Sequence, residues 1–131
     1  MPGAVMLCSV RRNHFDPTEY PADAAPIARL YRAYFNRAPD EATLGRWVAR
    51  NKAGTSLTAI AEAFANSPDF HALYGSLTDE QFVTRVYRNL LGRDPDPVGL
   101  AHWRGQLADG RLKRGQLIWA IMESPEYRRA S

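Results

Sequence analysis

The sequence predicts an all-α protein, built as two tandem helical repeats of about four helices each and packed into one compact helical domain. Three observations predict it. One pattern of residues occurs twice at a nearly fixed offset. Within each occurrence, apolar residues recur at three- and four-residue steps, with caps and stops between the runs. Apolar and polar residues do not alternate with period two, and the β-branched residues stand isolated, so no strand is expected.

The repetition is direct. Tyr31-Arg32-Ala33-Tyr34-Phe35-Asn36-Arg37-Ala38-Pro39-Asp40 returns as Tyr87-Arg88-Asn89-Leu90-Leu91-Gly92-Arg93-Asp94-Pro95-Asp96, an offset of 56 residues. The same offset carries Leu44 onto Leu100, Trp47 onto Trp103 and Gly54 onto Gly110. After one inserted residue, Ser67-Pro68-Asp69-Phe70 matches Ser124-Pro125-Glu126-Tyr127. Residues 1–22 match neither copy and contain Pro2, Pro17 and Pro21 without a helical period, which reads as a tail or arm. Repeat one spans 23–76 and repeat two 77–131. A solenoid needs about three repeats or more. Two copies joined by the short linker Tyr74 to Leu77 are therefore expected to share one core.

Each repeat reads as helix, tight loop, helix, turn, helix and short helix. Ile27, Leu30, Tyr31, Tyr34 and Phe35 form one apolar face, and Phe82, Val83, Val86, Tyr87, Leu90 and Leu91 form its counterpart. Thr78 with Gln81 makes a capping box, and Gly92 a stop. Asp40 and Asp96 are expected to cap the second helices by accepting their free amide protons, with Pro97 at the first helical position. Leu44, Trp47 and Val48, like Leu100, Trp103 and Leu107, predict a buried stripe. Gly54 and Gly110 end these helices. Leu57, Ile60, Ala63 and Phe64 mark the third helix of repeat one; Leu117, Ile118, Ile121 and Met122 mark that of repeat two. Ser67 and Ser124, each followed by Pro, cap the last short helix.

Composition narrows the function classes. A chain of 131 residues can bury a core without staples, and a hydrophobic fraction of 45% argues against global disorder. No apolar run approaches the roughly 18 residues of a membrane helix, so no membrane insertion is expected. The formal charge of +3 is small and its cations are interspersed with acids. Nucleic acid is thus a poor partner, since its binders cluster their basic residues. Only Arg11-Arg12, Arg111 to Arg114 and Arg128-Arg129 approach a cluster. Cys8 is the single cysteine, which precludes an intramolecular disulfide and reads as a small apolar tail residue. The apolar stretch Ala4 to Leu7 is too short for a signal peptide, and Arg11-Arg12 follow it instead of preceding it. The compartment stays open between cytoplasm, export by another route, and a fragment of a longer protein.

Tyr87-Arg88-Asn89-Leu90-Leu91-Gly92-Arg93-Asp94-Pro95-Asp96-Pro97-Val98-Gly99-Leu100-Ala101-His102-Trp103 resembles the signature of the bacterial domain of unknown function 4214. That signature continues with a glycine near the helix end and a helix closed by Ser-x-Glu-aromatic, which Gly110 and Ser124-Pro125-Glu126-Tyr127 match. Repeat one is similar but degenerate, with Asn36 at the place of Gly92 and Thr43 at that of Gly99. A more distant likeness is to the helical linker domain of phycobilisome rods. The resemblance implies a module of large secreted or surface-associated bacterial proteins, to which no chemistry attaches as a class.

The Arg-x-Pro-Asp element, Arg37/Pro39/Asp40 and Arg93/Pro95/Asp96, can be read as a charged loop for a partner. It can also be read locally: Asp caps, Pro stiffens, and Arg reaches nearby carbonyls or the Asp itself. Asp94-x-Asp96 with Gly99 suggests calcium, but an EF-hand would need acids where Val98 and Gly105 stand. Trp47 and Trp103 read as core anchors. Trp119 has Glu62 at its place in repeat one, so it belongs to the edge of the buried face. With Tyr127, it is a candidate partner contact, as are Arg93 and Arg37. His14, His71 and His102 share no ligand spacing, with His102 a solvent-facing neighbour of Trp103. No metal motif, cofactor loop or catalytic set is recognisable, and no cofactor is expected. The sequence thus predicts a non-catalytic protein-interaction or scaffold module, self-association included. The alternative is a carbohydrate-binding module of the cell envelope, with Trp119 or Tyr20 as the stacking ring. The differences between the copies (Glu62/Trp119, Arg46/His102, Asn36/Gly92) are where a specific surface is expected.

Overall fold

Helices dominate the part of the chain, residues 17–130, that the computed structural model describes. Eight α-helices follow a 3₁₀ turn at Pro17–Glu19: α1 (Ala25–Phe35), α2 (Glu41–Lys52), α3 (Leu57–Ala65), α4 (Pro68–Tyr74), α5 (Asp79–Leu91), α6 (Pro97–Ala108), α7 (Arg114–Met122) and α8 (Pro125–Ala130). No strand occurs among the described residues. The all-α class holds. The tail expected over 1–22 is modified at its end, because the 3₁₀ turn packs on α1 and Ala24 is buried. Cys8 and His14 lie outside the described residues.

The punctuation of the chain explains these boundaries. Asn36 and Gly92 both end their helices in the left-handed region, at φ 57° and 69°. Asn is one of the few side chains that reach it without large strain, so its replacement of glycine preserves the stop. Gly54 and Gly110 adopt positive φ just after α2 and α6. Asp40 accepts the Thr43 N–H at 2.7 Å. Thr78 and Gln81 form the reciprocal capping box, at 3.1 and 2.9 Å. Ser67 and Ser124 each make the same two bonds. Ser67 accepts from the Phe70 N–H at 3.2 Å and donates to the Phe64 carbonyl at 2.7 Å. Ser124 accepts from the Tyr127 N–H at 3.2 Å and donates to the Ile121 carbonyl at 2.6 Å.

Asp96 departs from expectation. Its backbone is that of an N-cap (φ −72°, ψ 160°), yet its carboxylate makes no capping bond. It leans over Gly99 instead, where Oδ1 lies 2.9 Å from the point a Cβ would occupy. The Tyr87 hydroxyl lies 3.2 Å from that same point. Glycine there leaves the room; Thr43 holds the matching place in the first half and donates its N–H to Asp40.

One continuous core joins both halves. Tyr34, Phe82, Ile60, Leu117 and Ile118 are its largest enclosed side chains, and Phe64, Phe70, Tyr74, Ile121 and Tyr127 complete it. Helices α3 and α7 cross each other, and α1 packs on both. The α3–α7 crossing is close: a Cβ on Gly115 would fall 2.4 Å from that of Ala65. Helices α2 and α6 carry no fully buried residue. The stripe expected to be buried there is only half-buried at Leu44, Trp47, Val48, Leu100, Trp103 and Leu107, of which Trp47, Leu100, Trp103 and Leu107 pack against the core. A helix laid on the outside of a small core has one apolar neighbour layer and solvent at its flanks.

The buried tyrosines make stability sensitive to alkali. Desolvation raises the phenol pKa values of Tyr34, Tyr74 and Tyr127 above their ordinary value near 10. The folded state thus holds protons that the unfolded state releases. Their stabilisation is complete below pH 10 and is lost as pH rises from there through the raised folded values. In an alkaline titration followed by circular dichroism and residue-resolved nuclear magnetic resonance, ionisation of these three phenols is expected to coincide with unfolding. Phenol ionisation well before loss of helicity would contradict it.

Candidate functional site: the cleft between the two halves

The seam between the halves is held by polar groups as well as apolar ones. Tyr34 of α1 donates its hydroxyl to the Gly115 carbonyl of α7 at 2.7 Å. Tyr74 of α4 donates to the Tyr34 carbonyl at 2.9 Å. Asn89, a buried polar residue on α5, stands near the Tyr74 hydroxyl and tempers the rise of its pKa. These bonds satisfy groups whose burial would otherwise cost about 1–3 kcal/mol each. Arg114, the first residue of α7, donates to the carbonyls of Tyr74 at 2.6 Å and Leu77 at 2.7 Å. It also pairs with Asp79 at 3.1 Å, and its guanidinium lies over the Phe82 ring, 5.0 Å from the centroid. It thereby fastens the linker between the halves to the start of α7.

Beside this seam lies an open cleft of about 740 Å³. That volume is within the range of ligand-sized pockets, about 300–1,000 Å³. Tyr34, Phe70, Tyr74 and Trp119 give it an aromatic lining. Glu62 and Asn66 border it from the α3 side, and Arg111, Lys113 and Gln116 from the α7 side. Trp119 is half-buried and Glu62 exposed. Two positions that correspond in the repeated pattern, Glu62 and Trp119, therefore line a single cavity because α3 crosses α7. Among the described lining residues Glu62 is the sole carboxylate.

The other expected contacts are placed differently. Tyr127 is 4% exposed and belongs to the core, so it is corrected from a partner contact to a packing residue, the counterpart of buried Phe70. Arg93 forms a two-pronged pair with Glu126, Nε to Oε2 at 2.7 Å and Nη2 to Oε1 at 2.8 Å. It also donates to the Asp94 carbonyl at 3.0 Å and lies over the Tyr87 ring. Arg37 reaches Asp69 at 3.3 Å and the Tyr31 hydroxyl at 3.1 Å. The Arg of the loop thus reaches the acid of the Ser-Pro-acid-aromatic element, not the Asp of its own loop. The bond from Arg93 holds the Glu126 carboxyl below the ordinary carboxylate range.

Trp103 donates its indole N–H to the Tyr87 hydroxyl at 3.0 Å, and Trp47 sets its ring edge-on to Phe64. His102 is exposed beside Trp103, as expected. Asp94 takes a hydrogen bond from Arg88, which lowers its pKa. Among the described residues no group of three His, Cys, Asp or Glu could hold a metal ion. None of their helices is long and apolar enough to cross a membrane.

Sequence reasoning missed Asn89, Arg114 and Gly115 as seam residues. Arg114 had a visible signal, standing in a basic run where the first half has Leu57. Gly115 had one too: a glycine one residue inside a helix is unfavourable unless something requires it.

No curated protein and no solved structure matches the chain. The sequence model of one family, described as "Domain of unknown function (DUF4214)", matches residues 61–130. That stretch is more than half of the chain. It begins inside α3 and takes in α4 to α8, so it contains every cleft-lining residue except Tyr34 and Thr58. The Arg93–Glu126 pair, both serine caps and most of the cleft lining lie within this match, and the chain belongs to the DUF4214 family.

Proposed function

We propose that this chain is a non-catalytic interaction module that docks a protein partner in the cleft between its halves. The observation that carries the reading is Trp119. It is a large aromatic residue, half-buried with part of its surface open, in a ligand-sized cleft, at a position where the other half has a carboxylate. Partly exposed tryptophans in concave sites are the residue type most enriched among binding hot spots.

We further read residues 23–76 and 77–131 as two copies of the family unit, the first diverged. The matched caps, the left-handed stops at Asn36 and Gly92, and the paired Arg37–Asp69 and Arg93–Glu126 bridges support it. A bacterial surface or secreted setting, and the more distant likeness to phycobilisome linkers, follow from the signature alone. Carbohydrate binding is the second reading, favoured by Trp119 beside Glu62, Asn66 and Gln116, a ring with nearby carboxylate and amides.

Cross-linking and affinity recovery with the wild-type chain and Trp119→Ala test the first reading. A partner, or a second copy, is expected to be captured by the wild type and weakened by Trp119→Ala by about 2 kcal/mol, roughly thirtyfold. Capture unaffected by the substitution would place binding elsewhere. A glycan array bound in a Trp119-dependent manner, with no protein captured, would favour the second.

A further inference from the structure

The basic run Arg111-Leu112-Lys113-Arg114 falls at the inserted residue of the second half, where the first half reads Thr55-Ser56-Leu57. In the structure it forms one wall of the cleft. Its members divide sharply. Arg114 is committed to the Tyr74 and Leu77 carbonyls and to Asp79, so it is not available to a ligand. Arg111 is different. Its side chain is 72% exposed, and its one ion pair among the described residues, with the 62% exposed Asp109, is a distant 3.9 Å. Lys113 is exposed, and no acidic partner contacts it among the described residues. Its backbone N–H, not its ammonium, makes the local bond, to Gln116 at 2.8 Å. Two cations thus stand at the mouth of an aromatic cleft without strong internal partners. Both come from a segment in which the two halves differ, and Trp119 stands at another such position on α7.

Resting on the interaction-module reading, we propose that the cleft receives a short acidic segment of a protein partner, with carboxylates at Arg111 and Lys113 and a bulky apolar side chain against Trp119. Charge complementarity selects the sign of the ligand. The aromatic lining selects a ligand with an apolar side chain to bury. Glu62, on the far wall, selects against a uniformly anionic chain such as a polyphosphate or an acidic glycan, which would meet a like charge there. A peptide avoids that conflict, because its backbone N–H groups can serve Glu62 while its side-chain carboxylates serve the cations.

The test is selection of short random peptides displayed on phage against the immobilised full chain, followed by synthesis of the enriched sequences. Enriched peptides are expected to place Asp or Glu beside an aromatic or aliphatic residue. They should shift the indole signal of Trp119 in nuclear magnetic resonance more than those of Trp47 and Trp103. Charge reversal with Arg111→Glu and Lys113→Glu should weaken them by more than about tenfold, since opposed like charges cost several kcal/mol. Both residues are exposed, so the fold should survive, with circular dichroism as the check. Independently of any variant, added salt should weaken binding to the wild type.

Enriched peptides without acidic bias, or indifferent to both reversal and salt, would overturn the acidic-ligand proposal while leaving the interaction module standing if Trp119 still responds. No enriched peptide, together with no partner captured by cross-linking, would remove both. Neutral oligosaccharides shifting Trp119 with no peptide enriched would overturn the proposal in favour of sugar.

Discussion

Replacing Phe64 with alanine is expected to lower the stability of the fold by about 3–5 kcal/mol. Phe64 is 2% exposed and sits in the middle of the first half's aromatic cluster. The rings of Tyr31, Tyr34, Phe35 and Trp47 surround it, with centroids 5.1–6.0 Å away and mostly edge-on. Truncation therefore removes a large buried side chain, leaves a cavity, and deletes several edge-to-face contacts worth about 0.5–1.5 kcal/mol each beyond area. The four rings around it belong to two other helices, α1 and α2, and cannot all move inward. Small domains hold only about 5–15 kcal/mol in total, so the loss is a large share. Urea denaturation should show a lower midpoint in a single transition, because the core is continuous across the halves. A loss below about 1 kcal/mol would mean that this side chain is not enclosed as described. Two separated transitions would mean that the halves unfold independently.

The second large effect is at the crossing of α3 and α7. Gly115→Ala is expected to destabilise by about 1–3 kcal/mol, although alanine is the better helix former. Its new Cβ would stand 2.4 Å from the Cβ of Ala65, and neither atom belongs to a flexible side chain that could swing away. The helices must separate, which strains the Tyr34 bond to the Gly115 carbonyl. A companion substitution makes the mechanism visible. Ala65→Gly alone should cost about 1 kcal/mol through helix propensity. Together, Gly115→Ala and Ala65→Gly should be less destabilising than their sum, with a coupling of about 1 kcal/mol or more. Strict additivity would refute the steric explanation. Separation of α3 from α7 would also change the cleft they line, so the fluorescence of Trp119 should respond to Gly115→Ala and recover in the double variant.

Much of the local architecture was legible because its causes are local. Helix stops need a residue that tolerates positive φ, and Asn36, Gly54, Gly92 and Gly110 are such residues. Caps need an oxygen acceptor at the first turn, and Asp40, Ser67, Thr78 and Ser124 supply it. Where a local reading failed, a neighbour from elsewhere in the chain had intervened. Asp96 has the sequence of a cap but leans over Gly99 toward Tyr87. Tyr127 looked like a terminal surface aromatic, yet α8 folds back on α5 and α7 and buries it. Arg37 and Arg93 read as loop charges, and their partners, Asp69 and Glu126, stand more than 30 residues later.

By itself the sequence determined the helical class, the order of the eight helices among the described residues, their stops and every expected cap but Asp96, and the membership of the second half in its family signature. These depend on periodicity and on residues within one turn of each other. Only the tertiary structure decided that Glu62 and Trp119, which differ at matching places of the repeated pattern, line one cleft with Arg111 and Lys113. It also decided that Arg114, in the same basic run, is locked into the seam. The reason is geometric: both outcomes follow from the crossing of α3 on α7, which depends on Gly115 passing close to Ala65 across a gap of 50 residues. Helical periodicity names the face a residue occupies; only packing names the face it meets.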